Sequence, residues 1–147
     1  MRLNGKSVVI TGATGAIGSA TAKRFLLEGA NVVLVGRSEK ELRTLADALG
    51  NPDQIITAVA EALDEVAVKQ SLDYCVDFFG GLDAVFANAG TEGPVKPIDA
   101  YSMEEFNQTL MVNVTGVWLY LKHSLPKMKT QGNGSFIAVA SGAGVVG

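Results

Sequence analysis

Short apolar runs alternate with longer helical patterns along the whole chain. Residues 7–10 (SVVI), 31–35 (NVVLV), 54–60 (QIITAVA), 82–87 (LDAVFA) and 135–140 (SFIAVA) read as buried strands, rich in β-branched residues and bounded by turn formers. Over 16–28, Ile17, Ala20 and Phe25 share one helical face, and Gly29 ends the pattern. Ser38 and Glu41 form a Ser-x-x-Glu capping box ahead of Leu42, Leu45 and Leu49. Val68, Leu72, Cys75, Val76 and Phe79 mark a third helical face, closed by Gly80-Gly81. A Gly- and Pro-rich loop over 88–97 leads to a long helix with Phe106, Leu110, Val114, Val117 and Leu121 on one stripe. Strands alternating with helices require right-handed crossovers and a parallel sheet covered on both faces. The expected fold class is α/β, in one domain over residues 1–147, since no repeat or linker divides the chain.

Composition narrows the function classes. The chain is 48% hydrophobic and 18% charged with a net charge of -3, which is a globular balance. No stripe of Lys and Arg forms, so neither nucleic acid nor an anionic membrane is expected as a partner. The first apolar run is cut off by Thr11 and Gly12, too early for a signal peptide, and no apolar segment approaches membrane-spanning length. With a single cysteine, Cys75, there is no internal disulfide and no Cys-rich metal site, so no metal is expected. A soluble, cytoplasmic protein is the expectation.

The junction of the first strand and first helix reads Thr11-Gly-Ala-Thr-Gly-Ala-Ile-Gly18. Gly12, Gly15 and Gly18 sit in the strand–turn–helix context of a dinucleotide fingerprint. Glycine permits the tight turn and lets backbone approach a pyrophosphate with no Cβ in the way. Free N–H groups at the helix start, on Ala16, Ile17 and Gly18, and the helix dipole favour phosphate there. A tight turn with small residues for close packing is the bland alternative, and the strand–helix alternation argues against it.

These residues resemble the short-chain dehydrogenase/reductase family, and the likeness runs along the whole chain. The family's usual motif is Thr-Gly-x-x-x-Gly-x-Gly; here Ala16 replaces the middle glycine and Gly15 comes one place earlier, a spacing closer to the family's extended branch. Alanine is the next smallest residue, so the phosphate turn is expected to survive. Asn88-Ala89-Gly90 after the fourth strand matches the family's Asn-Ala-Gly, and Gly81-Leu82-Asp83 precedes that strand as is common there. Asn113, within Met-Val-Asn-Val-Thr-Gly-Val, resembles the segment holding the family's catalytic asparagine. Ala140-Ser141-Gly-Ala-Gly144 resembles its Ser-Ser-x-x-Gly element, with Ser141 in the place of the catalytic serine. The resemblance implies a doubly wound, Rossmann-like parallel sheet that stops after the fifth strand. It implies a nicotinamide cofactor and a small carbonyl or alcohol substrate.

The individual residues fit that picture unevenly. Asn88 is a common turn residue, but its Asn-Ala-Gly context favours support of the backbone beside the cofactor. Asn113 falls on the apolar stripe, where a polar group must be hydrogen-bonded. A satisfied core Asn or a helix kink is compatible with a role in a proton relay. Ser141 follows the carboxyl end of the fifth strand, the edge that faces the ligand crevice in open parallel sheets. The second strand ends in Gly36, Arg37 and Ser38, with no carboxylate to repel a 2′-phosphate and a guanidinium to bind one; Thr14 adds no second basic group. NADP(H) is therefore favoured over NAD(H). Glu61, with Ala62, stands near where the family places an acidic residue beside the adenine; Asp64 competes with it, and either acid equally suits the start of the next helix. His123 and Cys75 are assigned no chemistry.

Family members use a Tyr-x-x-x-Lys pair as general acid–base machinery. None of Tyr74, Tyr101 and Tyr120 has a lysine four positions on, and the sequence runs six residues past Ser141, whereas the family's pair lies well downstream of the serine. The chain is expected to be an N-terminal portion of an oxidoreductase, incomplete at the C-terminus. The alternatives are a non-catalytic dinucleotide-binding module and an inactive truncated product. The helix that starts near Tyr101 resembles the family's dimer-forming helix, which makes a homo-oligomer a candidate assembly.

Overall fold

The structure is a computed structural model that describes residues 1–144. Five parallel strands form one sheet in the order β3-β2-β1-β4-β5. They are β1 (Ser7–Thr11), β2 (Asn31–Gly36), β3 (Ile55–Val59), β4 (Ala84–Ala87) and β5 (Ser135–Ala138). The helices between them are α1 (Ala16–Leu27), α2 (Glu39–Leu49), α3 (Glu65–Phe79), and α4 (Met103–Leu110), which runs through a π-helical turn (Met111–Thr115) into α5 (Gly116–Gln131). Each strand is one to a few residues shorter or longer than its apolar run; β5 stops at Ala138 rather than Ala140, and β3 at Val59 rather than Ala60.

Period-two alternation explains two cores. Val8, Ile10, Val32 and Leu34 point to one side and pack with Ala22 and Leu26 of α1 and Leu42 of α2. Val9, Val33, Val35 and Val85 point to the other and pack with Val68 and Leu72 of α3 and Leu119 and Met128 of α5. Side chains so fully withdrawn from water each contribute on the order of 1.5–3 kcal/mol. Helices α3 and α5 are also clasped electrostatically: Lys122 and His123 both reach Glu65, at 2.6 and 2.7 Å, and Lys127 pairs with Asp73.

Two helix faces differ from the sequence expectation. In α1 the buried stripe is Gly18, Ala22 and Leu26, not Ile17, Ala20 and Phe25; Ile17 is 59% exposed and Phe25 half-buried. Small residues carry the contact because the helix lies close against its own turn. In the long helix Phe106, Leu110 and Val114 are exposed, while Gly116, Leu119, Tyr120, Ser124 and Met128 are buried. The half that is α4 buries nothing. The Ser38–Glu41 cap is also only half a box: Ser38 Oγ accepts from the Glu41 N–H at 3.3 Å, and the reciprocal bond is not made. The reciprocal box occurs instead at Ser102 and Glu105, ahead of α4.

Candidate functional site

The chain leaves β1 toward β2 on one side and returns as β4 on the other, so a crevice opens between the carboxyl ends of β1 and β4. The turn after β1 is shaped by two glycines for two reasons. Gly12 has φ +62°, where side chains are strained, and a Cβ there would lie 3.0 Å from Ala89 Cα. Gly18 is a matter of space: its Cβ would stand 2.3 Å from the Gly12 carbonyl oxygen and 2.8 Å from Ala13 Cα. Gly15 is different. Its Cβ would meet only the Gly12 oxygen, at an ordinary 3.4 Å, so protein packing does not demand glycine there; the residue faces the crevice. The turn closes with the Gly15 N–H donating to the Gly12 oxygen at 3.1 Å, and Ala16 begins the helix with the turn intact.

The start of α1 carries no side-chain cap and no acid in its first turn. By contrast α2, α3 and α4 are capped by Ser38, Asp64 and Ser102 and have acids there. The end of α1 that meets the crevice is the one whose donors and positive dipole end are left without a side-chain partner.

The far side of the crevice is latched to this turn. Thr11 Oγ1 accepts from the N–H groups of Asn88 (3.0 Å) and Ala89 (2.9 Å). Asn88 Nδ2 donates back to the carbonyls of Thr11 (3.2 Å) and Gly12 (3.3 Å). Asn113 then fixes the next residue along: its Oδ1 accepts from the Thr91 N–H at 2.8 Å and its Nδ2 donates to the Thr91 carbonyl at 2.7 Å, the two bonds a neighbouring strand would make. Asn113 is exposed and lies in the π-helical turn, not on a buried stripe. The irregular turn between α4 and α5 is where this amide reaches out of the helix.

The crevice is about 490 Å³ and gathers Gly12, Thr14, Gly15, Gly36, Arg37, Glu61, Ala62, Asn88, Ala89 and Gly90. Residues 6–147 match the profile of the short chain dehydrogenase family. The chain belongs to the short-chain dehydrogenase/reductase family. Levodione reductase of Leifsonia aquatica is 35% identical over 99% of the chain and 56% of the relative. Secoisolariciresinol dehydrogenase of Forsythia intermedia is 33% identical over 99% of the chain and 53% of the relative. The structure of NAD+-bound xylitol dehydrogenase superposes with a TM-score of 0.94 at 34% identity, covering all of this chain and 57% of that one. The chain thus spans about half the length of these oxidoreductase relatives.

Several residues assigned to the site in this short-chain dehydrogenase/reductase chain stand outside the crevice. Gly18 is buried beneath the turn, and Ala16 and Ile17 border a shallow depression along α1 beside Phe25. Ser38 caps α2. Asp64 Oδ1 accepts from the Ala67 N–H at 3.0 Å and caps α3, which leaves Glu61 as the acid in the crevice. Ser141 lies three residues beyond β5, exposed, and its carbonyl accepts from the Gly144 N–H at 3.1 Å. Thr11, Thr91, Gln108, Val112 and Tyr120 line the crevice without having been assigned to it. Thr11 was legible as the first letter of the glycine motif; the others come from the long helix and its approach loop, whose facing the apolar pattern misread. Tyr120 sits at the crevice floor, 4% exposed, with its hydroxyl 3.3 Å from Ser71 Oγ; burial pushes it up to about 12.

Proposed function

We propose that this chain is the dinucleotide-binding portion of an oxidoreductase that takes NADP(H) in preference to NAD(H) and acts on a small carbonyl or alcohol. The observation that carries the reading is the joining of the glycine turn to Asn88-Ala89 across the switch point, with an uncapped helix end between them. The residues fit such a cofactor. Gly12, Thr14, Gly15 and the first-turn N–H groups of Ala16, Ile17 and Gly18 would receive the pyrophosphate. Gly36, Arg37 and Ser38 would receive the adenosine ribose, where Arg37 is exposed and has no ion pair among the described residues. Glu61 and Ala62 would border the adenine, and Asn88, Ala89 and Gly90 the nicotinamide end. When bound, the nicotinamide supplies the hydride chemistry. A relative crystallised with NAD+ supports the cofactor class.

Asn113 and Ser141 are the proposed contributors to catalysis. Asn113 holds the Thr91 backbone, and Ser141 would orient the substrate oxygen. Neither titrates near neutral pH, and no Tyr-x-x-x-Lys occurs among the 147 residues. General acid–base catalysis contributes roughly 10²–10⁴-fold, so these 147 residues alone are expected to bind nucleotide without turnover. Met103, Phe106, Leu110, Val114 and Trp118 leave an apolar stripe exposed on α4 and α5, which supports a homo-oligomer through the helix beginning near Tyr101. Among the described residues no helix is long and apolar enough to cross a membrane, and a cytoplasmic setting is proposed.

Titration calorimetry with NADP+ and NAD+, run beside an NADPH-oxidation assay on a ketone panel, tests this reading. One-site binding with NADP+ tighter and no turnover is expected. Absence of binding by folded protein refutes the dinucleotide assignment, and steady turnover refutes the inactivity.

A further inference from the structure

One wall of the crevice is a single helical face. Gln108 of α4, Val112 of the π-helical turn and Tyr120 of α5 line it. Gly116 between them lies against the connection from β3 to α3: a Cβ there would stand 3.1 Å from Ala62 Cβ and 3.2 Å from the Ala62 oxygen. The width of the crevice beside Glu61 and Ala62 is therefore set by close approach of the helix to backbone, not by a movable side chain. Ala60, Ala62 and Val112 give that end apolar surface for a flat ring.

Half of the polar side chains in the crevice are already committed: Thr11 and Asn88 to each other's backbone, Thr91 to Gly93, Tyr120 to Ser71. Thr14, Arg37, Glu61 and Gln108 line the same space, and none of their side chains has a hydrogen bond or ion pair among the described residues; Thr14 offers only a single hydroxyl beside the glycine turn. Arg37 is a cation suited to phosphate, and Glu61 when ionised only accepts. Gln108 alone both donates and accepts through one planar amide, which is the pairing that an adenine amino group and its adjacent ring nitrogen require. Although α4 buries no residue, its position is marked by local bonds: the Ser102–Glu105 box caps it, Lys96 Nζ lies 2.7 Å from Glu105 Oε1, and Asn113 ties the following turn to Thr91.

We propose that Gln108 is a specificity-determining residue that reads the adenine edge of the dinucleotide. The inference rests on the crevice being a dinucleotide site. The test is fluorescence and calorimetric titration of NADP+ and its 1,N6-etheno derivative, in which the bridge joins N1 and N6 and so removes the amino N–H donor from either edge that a planar amide could read. Wild-type, Gln108→Leu and Glu61→Leu proteins are compared, each shown to be folded by circular dichroism. Wild type is expected to prefer NADP+ by about five- to tenfold. Gln108→Leu should bring that ratio to about one while leaving the NADP+/NAD+ ratio unchanged, because Arg37 is untouched. A ratio that survives in Gln108→Leu, or is lost only in Glu61→Leu, overturns the assignment of Gln108. Binding of neither nucleotide by wild type overturns the dinucleotide reading itself, and the inference with it.

Discussion

Replacing Gly18 by alanine should damage both stability and nucleotide binding, although it adds one methyl group to a helix former's preferred site. The added Cβ would lie 2.3 Å from the Gly12 oxygen, and Cβ contacts shorter than 3.0 Å are essentially never seen. The helix start must therefore retreat by at least 0.7 Å, the difference of those two distances, and by 1.1 Å to reach the ordinary 3.4 Å at which a Cβ on Gly15 would meet the same oxygen. The opposing atoms are backbone of Gly12 and Ala13, which cannot swing aside. Gly12 is itself pinned by Asn88 Nδ2 and by the Gly15 N–H. Overpacking of this kind costs about 1–3 kcal/mol. A displacement near 1 Å also takes N–H donors of the first turn out of hydrogen-bond range of a phosphate. Losing one such charge-assisted bond costs about 1.5–3 kcal/mol, or roughly 10- to 150-fold in affinity. Calorimetry with NADP+ on folded Gly18→Ala, with the thermal midpoint measured alongside, reads both effects. Gly18→Val adds two further methyls and should be worse. A Gly18→Ala protein with wild-type midpoint and affinity would refute the claim that this glycine lets the helix and turn close together.

Gly36→Asp should move preference from NADP+ toward NAD+ by at least about tenfold, since a carboxylate at the end of β2 repels a 2′-phosphate; its Cβ would lie 3.3 Å from Leu42 Cδ2, a side-chain end that can shift, so Gly36→Ala serves as the steric control and an unchanged ratio counts against this position. Glu65 is held below its ordinary 4.5 by its bonds from Lys122 and His123; for Asp73, burial pulls upward, but Lys127 and Lys69 outweigh it and hold the carboxyl below 3.8. Carboxyls lowered in the folded state add stability that is fully present above their unfolded values and is lost as pH falls through the folded ones, so the melting midpoint of Glu65→Gln/Asp73→Asn should lie below wild type at pH 7 and the gap should shrink as pH falls below the ordinary values of 4.5 and 3.8; a constant gap would show that the clasp does not operate. Cys75 is fully buried, and that burial, with Asp83 adding to it, pushes the thiol up to about 12, so at pH 8 a fraction of only about 10⁻⁴ is thiolate; an aromatic disulfide reagent should label it only in denaturant, and prompt labelling of native protein would contradict the packing.

The sheet was legible because fully buried parallel strands leave continuous β-branched runs, and Val8, Val9, Ile10 and 32–35 are such runs with almost no exposure. The glycine turn was legible because its constraints are largely local: Gly18 is required by the backbone of Gly12 and Ala13 and Gly12 by its own φ of +62°, although the atoms a Gly12 Cβ would meet belong to the distant Asn88 and Ala89. Helix facing was not. In α1 the contact is made by Gly18 and Ala22, which carry little hydrophobic weight, so larger residues such as Ile17 misdirected the expected face. In the long helix the most apolar stripe points outward through Phe106, Leu110 and Val114, and the π-helical turn interrupts the 3.6-residue period that the stripe was drawn on. For the same reason Asn113 was placed among apolar neighbours, when it reaches across to Thr91, a contact spanning 22 residues that no local pattern encodes. Between Glu61 and Asp64 the sequence did not decide; Asp64 accepts from the Ala67 N–H and caps α3, and Glu61 is the acid that lines the crevice.

The most direct test of the central claim is to map where NADP+ binds, by following backbone amide resonances of the 147-residue chain during titration. Saturable shifts are expected, confined to the turn from Gly12 to Gly18, the β2 end at Gly36 to Ser38, Glu61 and Ala62, Asn88 to Thr91, and Gln108 and Val112 on the facing helix. Shifts centred instead on the amino end of the sheet, around Lys6, Asp83 and Ser135, or no saturable shift at all, would contradict the assignment.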